Sequence, residues 1–138
     1  MVFITRVENF NAAHRVFNPK WSKEKNDEIF GRCANEYYHG HNFELFVTVK
    51  GIPDPEMGYV MDLKVLGDLV KKEIIDKVDH RNLNMDVDFM KDVIPSCENF
   101  IVKIWEIIAP KISEIAPNAQ LHSLKLTETP KHYVEYFG

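Results

Sequence analysis

Long apolar runs are missing from this chain. No stretch approaches the ~20 consecutive apolar residues that span a bilayer, so no membrane-spanning helix is expected. The opening Met1-Val2-Phe3-Ile4-Thr5-Arg6 is too briefly apolar and too soon charged to read as a secretory signal. Cysteine is scarce: Cys33 and Cys97 stand alone, too few for a disulfide framework. The expectation is a cytoplasmic protein with reduced thiols, whose cysteines serve chemistry and packing. Positive charge is also short, with 17 Lys and Arg against 21 Asp and Glu and a net charge of −4. A surface that binds phosphate backbones makes a chain basic, so nucleic acid is not an expected partner. Internal repeats and low-complexity tracts are lacking too, which excludes repeat arrays.

What is present suits one domain over residues 1–138. The chain is 45% hydrophobic, enough to build a core at this length. Val2 to His14 reads as a first strand. Phe43, Leu45, Val47 and Val49 recur at every second position, separated by mostly polar residues, which predicts a second strand with one buried face. Asp62 can cap a helix that carries Leu63, Leu66, Leu69, Val70, Ile74 and Val78 on one side. Ser96 can cap a second, with Phe100, Ile101, Ile104, Trp105, Ile107 and Ile108 as a wide apolar stripe and Pro110 as a bend or an early turn. Residues 121–128 and 132–137 read as closing strands. Residues 15–32 lack periodicity and are expected to form a long loop. The order β-β-α-α-β-β predicts an α+β fold, a four-stranded antiparallel sheet with two helices on one face. Its open edges and bare face predict a homo-oligomer.

The chemistry concentrates in Cys33-Ala34-Asn35-Glu36-Tyr37-Tyr38-His39-Gly40-His41-Asn42. The parity of the second strand, carried backwards, puts His39 and His41 on its apolar face, roughly 6.5–7 Å apart along the backbone. Two imidazoles so placed can lean onto one ion at about 2.0–2.1 Å from each nitrogen. Gly40 between them lets a neighbouring backbone come close. His14 ends the first strand, and antiparallel pairing of the two strands brings it to face the pair. Three histidines with an open fourth position is the pattern of a catalytic zinc, not of a structural one. His-x-His by itself equally fits two ordinary polar residues at a strand start.

Six short stretches, taken in order, resemble the 6-pyruvoyltetrahydropterin synthase family, which includes the bacterial 6-carboxytetrahydropterin synthases. They are Phe10-Asn11-Ala12-Ala13-His14-Arg15, then Phe30-Gly31-Arg32-Cys33 with His39-Gly40-His41-Asn42-Phe43, then Gly58-Tyr59-Val60-Met61-Asp62-Leu63. Asp79-His80-Arg81-Asn82-Leu83-Asn84, Glu98-Asn99 and Leu126-Thr127-Glu128-Thr129 complete the set. The resemblance implies that His14, His39 and His41 hold Zn²⁺, whose open position takes side-chain hydroxyls of the substrate and eases removal of adjacent C–H protons. It implies that Cys33 is the proton-abstracting base, since a thiol ionises more readily beside a cation. Asp79 would orient His80, which relays protons, although from the residues alone this pair also suits a helix end. Glu128 would anchor the pterin, because a carboxylate accepts two parallel hydrogen bonds from a ring N–H and its neighbouring amino group. Glu98 would be a second pterin contact. Cys97 receives no role beyond packing, and His122 and His132 read as surface residues.

The substrate so implied is 7,8-dihydroneopterin triphosphate. The implied product is 6-pyruvoyltetrahydropterin, with 6-carboxytetrahydropterin, on the queuosine and 7-deazapurine route, as the rival. The five-residue spacing between Cys33 and His39 is typical of the pyruvoyl enzymes, while Ala34-Asn35-Glu36-Tyr37-Tyr38 stands where the family often has small or glycine-rich residues and Ser96-Cys97 where it often has threonine or a small residue. The implied architecture is the tunnelling fold, an oligomeric barrel closed by trimers of four-stranded sheets and stacked as a hexamer. Sites in such assemblies lie between subunits, so Cys33 and Glu128 are expected to serve one pocket from different chains. A zinc-stabilised binding protein without turnover is the reading from another class. Structural zinc carries folding energy, so on that reading chelation unfolds the chain and Cys33→Ala changes nothing. The enzyme reading expects the opposite: chelation and Cys33→Ala each leave the thermal melt in place by circular dichroism. Turnover then falls by about 100-fold or more, the scale of a lost general base.

Overall fold

The structure is a computed structural model that describes residues 1–138. In chain order its elements are β1 (Val2–His14), α1 (Lys23–Phe30), β2 (His39–Gly51), α2 (Leu63–Val70), α3 (Asp76–Val78), β3 (Arg81–Asn82), α4 (Cys97–Ile115), β4 (Ala119–Thr129) and β5 (His132–Tyr136). β1 and β2 pair antiparallel over their whole length, from Val2 opposite Gly51 to His14 opposite His39. The alternating pattern explains this register. Phe10 and Ala12 on β1, and Phe43, Leu45, Val47 and Val49 on β2, are all buried, and a one-residue slip would turn every one of them to solvent. β4 runs antiparallel to β2, and β5 folds back on β4. An irregularity in β4 opposite Thr48 and Val49 lets Leu121 and Leu124, three residues apart, both face the core.

Two helical segments cover one face of the sheet. Asp62 caps α2 by accepting the Lys64 N–H at 2.7 Å. The helix then runs through a π-helical stretch, Lys71–Ile75, into α3. Ser96 caps α4 by accepting the Asn99 N–H. Pro110 lies inside α4, which continues past it to Ile115. Leu66, Val70 and Ile74 from the first segment, and Phe100, Ile104, Ile108 and Ile112 from α4, are fully buried with the sheet residues in one apolar core.

The sheet departs from the four antiparallel strands expected. It has five strands in the order β3-β1-β2-β4-β5, and β3 lies parallel to β1. β3 has two residues, too short to leave a period-2 pattern. Its place is set by tertiary bonds: His80 N–H donates to Asn11 O at 2.6 Å and Leu83 N–H to Ala13 O at 2.8 Å. The segment 15–32 departs too. It contains helix α1, followed by a 3₁₀ turn at Gly31–Ala34. α1 has no apolar stripe to announce it. It is held by Asn26, 4% exposed, whose side chain accepts the Asn18 N–H at 2.7 Å and donates to Asn18 O and Ser22 O at 3.0 Å each. Removing those partners leaves buried polar backbone unsatisfied, at a cost of about 1–3 kcal/mol. Asn26→Ala is therefore expected to open the 15–34 segment, seen as faster proteolysis there, with little change in the global melting temperature.

Candidate metal centre and active site

The β1–β2 register decides the central feature. His14 pairs directly across from His39, and Ala12 from His41, so the three histidines share the sheet face that carries Phe10 and Phe43. Gly40 lies where an added Cβ would come within 3.3 Å of Ala12 O, which keeps the two strands close at this point. One ring nitrogen from each of His14, His39 and His41 lies within 4.8 Å of the others. His14 Nδ1 donates to Pro95 O at 2.8 Å, which leaves Nε2 as the lone-pair nitrogen. His14 Nε2, His39 Nδ1 and His41 Nε2 are buried and have no hydrogen-bond partner. Buried polar atoms are almost always paired, so three orphans converging on one point suit a shared cation. The cluster can hold a metal ion.

Burial lowers the proton affinity of all three imidazoles, against the Pro95 hydrogen bond at His14 and against the Glu128 charge at each ring. Neutral imidazole is the form that ligates a metal. Glu128 stands over the cluster. It continues the inward-facing series Leu124, Leu126, and its Oε1 lies 3.4 Å from His14 Nε2 and 3.3 Å from His41 Nε2. Burial is the largest single influence on Glu128 and favours its neutral form. The Cys97 thiol and the His41, His14 and His132 rings together outweigh it and keep the carboxyl below its ordinary range.

His14, Cys33, Cys97, Glu98, Glu128 and His132 line one recess of about 480 Å³. Cys33 is exposed in the 3₁₀ turn, and its carbonyl accepts the Val16 N–H at 2.7 Å, which ties the turn to the end of β1. Cys33 and Glu128 thus line one recess within a single chain. Glu98 occupies the first turn of α4. Asp79 and His80 lie elsewhere. They line a second recess of about 580 Å³ with Asn11, Asn42, Glu44 and Thr127, residues of alternate parity that belong to the opposite sheet face. There Asn11 N–H donates to Asp79 Oδ1 at 2.9 Å, and His80 Nδ1 lies 3.0 Å from the same oxygen. The Asn11 N–H, followed by the His80 ring, holds the Asp79 carboxyl below its ordinary range despite burial. His80 adopts a left-handed backbone, φ 59°, uncommon for a residue with a side chain.

Residues 3–138 match the model of the 6-pyruvoyl tetrahydropterin synthase family. The chain belongs to this family. It is 39% identical over 136 residues to the 6-pyruvoyl tetrahydrobiopterin synthase of Poecilia reticulata, a span that covers 99% of this chain and 90% of that one. The solved structure of Caenorhabditis elegans 6-pyruvoyl tetrahydropterin synthase aligns with a TM-score of 0.88 at 37% identity, covering 99% of this chain and 95% of that one. The 6-carboxy-5,6,7,8-tetrahydropterin synthase of Rickettsia conorii is more distant, 29% identical over 150 residues, 98% of this chain and 99% of that one. No helix is long and apolar enough to cross a membrane.

Two residues beside the site gave no usable signal in the sequence. Cys97 opens α4 and lines the recess with Glu128; burial, and then the Glu128 charge, push its thiol up, so it stays protonated. His132 opens β5, and its Nε2 lies 3.0 Å from Glu128 Oε2 across the hairpin turn. In a family member with a histidine cluster this deep, pH acts on the fold itself. Unfolding returns each imidazole to a pKa of about 6.5, above its depressed folded value. Below that pH the unfolded chain takes up protons the folded chain refuses, so stability is full above about pH 6.5 and is lost as the pH falls. Urea unfolding of chelated protein checks this. The midpoint is expected to be lower at about pH 5.5 than at about pH 7.5, and His14→Asn is expected to flatten the difference.

Proposed function

We propose that the chain is a 6-pyruvoyltetrahydropterin synthase. It takes 7,8-dihydroneopterin triphosphate, eliminates inorganic triphosphate with internal redox, and yields 6-pyruvoyltetrahydropterin. The observation that carries this reading is the meeting of three unpartnered histidine nitrogens, one of them on His14, which lines a single recess with Cys33 and Glu128, in a chain of this family. His14, His39 and His41 suit Zn²⁺, which would polarise the substrate's side-chain hydroxyls and acidify the adjacent C–H bonds. Cys33, exposed on the same recess, takes the proton. Glu128 accepts the paired N–H donors of the pterin, and Glu98 is a second contact at the start of α4.

Asp79 and His80 complete the proton relay from a second copy, because their own chain turns them to the other sheet face. This supports the tunnelling fold as the working assembly, a barrel of trimers stacked as a hexamer. The outer edges of β1 beyond the short β3 and of β5 offer unpaired backbone groups for such closure. Each recess would then be built from two chains. The identity to 6-pyruvoyl synthases exceeds that to the Rickettsia carboxy enzyme, which favours the pyruvoyl product.

Incubation with 7,8-dihydroneopterin triphosphate and mass analysis of the products tests the reading. Triphosphate and 6-pyruvoyltetrahydropterin are expected without acetaldehyde. Acetaldehyde with 6-carboxytetrahydropterin would instead assign the carbon–carbon cleavage, and no turnover at all would favour the binding protein.

A further inference from the structure

The Glu128 carboxylate is placed oddly for a residue whose only partner is a pterin. Its Oε1 lies 3.4 Å from His14 Nε2 and 3.3 Å from His41 Nε2. Those distances are long for a charge-assisted hydrogen bond, which is about 2.7–2.9 Å. His14 also has no proton to offer there in its neutral form, because its Nδ1 hydrogen is committed to Pro95 O. Two acceptors therefore face each other, Oε1 and a lone-pair nitrogen, which repel unless a cation lies between them. Donor atoms about 2.0–2.1 Å from a tetrahedral ion stand roughly 3.3–3.4 Å from one another, the length of a tetrahedral edge. The contacts of Oε1 with both rings match that edge.

The rest of Glu128 is held for the same purpose. His132 Nε2 lies 3.0 Å from the other oxygen, Oε2, and Cys97 at the start of α4 lines the same recess. With Oε2 so engaged, Oε1 is the oxygen that faces the histidines.

We propose that Glu128 is the displaceable fourth ligand of the ion held by His14, His39 and His41. In the substrate-free protein Oε1 closes the coordination shell. A pterin needs both carboxylate oxygens for its paired N–H donors, so its arrival draws Glu128 off the ion and opens the position that the side-chain hydroxyls then enter. Coordination is thereby coupled to recognition of the ring, and the vacancy exists only when a pterin is present. The first half of this proposal rests on the metal reading of the three histidines, and the second on the pterin reading of Glu128.

Cobalt(II) is the probe, read by its visible absorption and by competition with a coloured chelator. Wild-type protein, Glu128→Gln and Glu128→Asp are loaded with Co²⁺ and titrated with azide, with circular dichroism confirming that each is folded. The wild-type spectrum is expected to ignore azide. Both variants are expected to bind Co²⁺ about 10-fold or more weakly and to change spectrum when azide enters the freed position. An unchanged affinity and spectrum in both variants would overturn the proposal while leaving the metal reading standing. Failure of the wild-type protein to bind Co²⁺ would remove the metal reading and the proposal together. Unphosphorylated 7,8-dihydroneopterin, whose binding is followed by fluorescence, is expected to shift the wild-type spectrum. Binding without that shift would overturn the displacement, and no binding would overturn the pterin reading on which it rests.

Discussion

Everything at the centre of this molecule depends on the register of two strands. Residue 14 of β1 faces residue 39 of β2, and both stand on the sheet face that the apolar core covers. Antiparallel pairing with a period of two makes that placement all-or-none. The core residues Phe10, Phe43, Leu45, Val47 and Val49 hold the register, so the energy of hydrophobic burial also aims the imidazoles. At the strand ends the core gives way to His14, His39 and His41, whose lone pairs meet with no protein donor to satisfy them. Folding thus creates an electrostatic demand that a cation can answer.

The same sheet divides the chemistry between its faces. Cys33, Glu98 and Glu128 line one recess with His14, while Asp79 and His80 are fastened to Asn11 on the bare face. The fastening is firm: a backbone pair and a carboxylate–amide bond fix the loop to β1, and the His80 backbone is left-handed to meet it. Glu128 occupies the hinge of the arrangement. One oxygen looks to the histidines and the other to His132, so the carboxylate links the candidate metal centre to the β4–β5 turn.

Much of this was legible in the chain. Alternation announced β1, β2 and β4, and helical spacing after Asp62 and Ser96 announced the two covering segments with their caps. Parity and antiparallel pairing put the three histidines on one face, and the family resemblance pointed to a metal there. α1 was missed because its anchor is a single buried amide, Asn26, and a polar residue leaves no mark in a hydrophobic pattern. β3 was missed because two residues carry no period. His132 read as surface and is exposed, but nothing in Glu128-Thr129-Pro130-Lys131-His132 says that the hairpin turns its imidazole toward Glu128.

By itself, then, the order of residues determined which atoms could bind a metal and which strand faces they share, because side-chain direction along a strand is a local property of the backbone. It also determined the family, through short stretches in a specific order. Only the tertiary structure decided that Cys33 and Glu128 share one recess, that Asp79 and His80 do not, and that Glu128 stands at a ligand's distance from two histidines. Those facts are relations between residues up to about a hundred positions apart. They are set by how sheet, turn and helix pack together, and no local pattern encodes that packing.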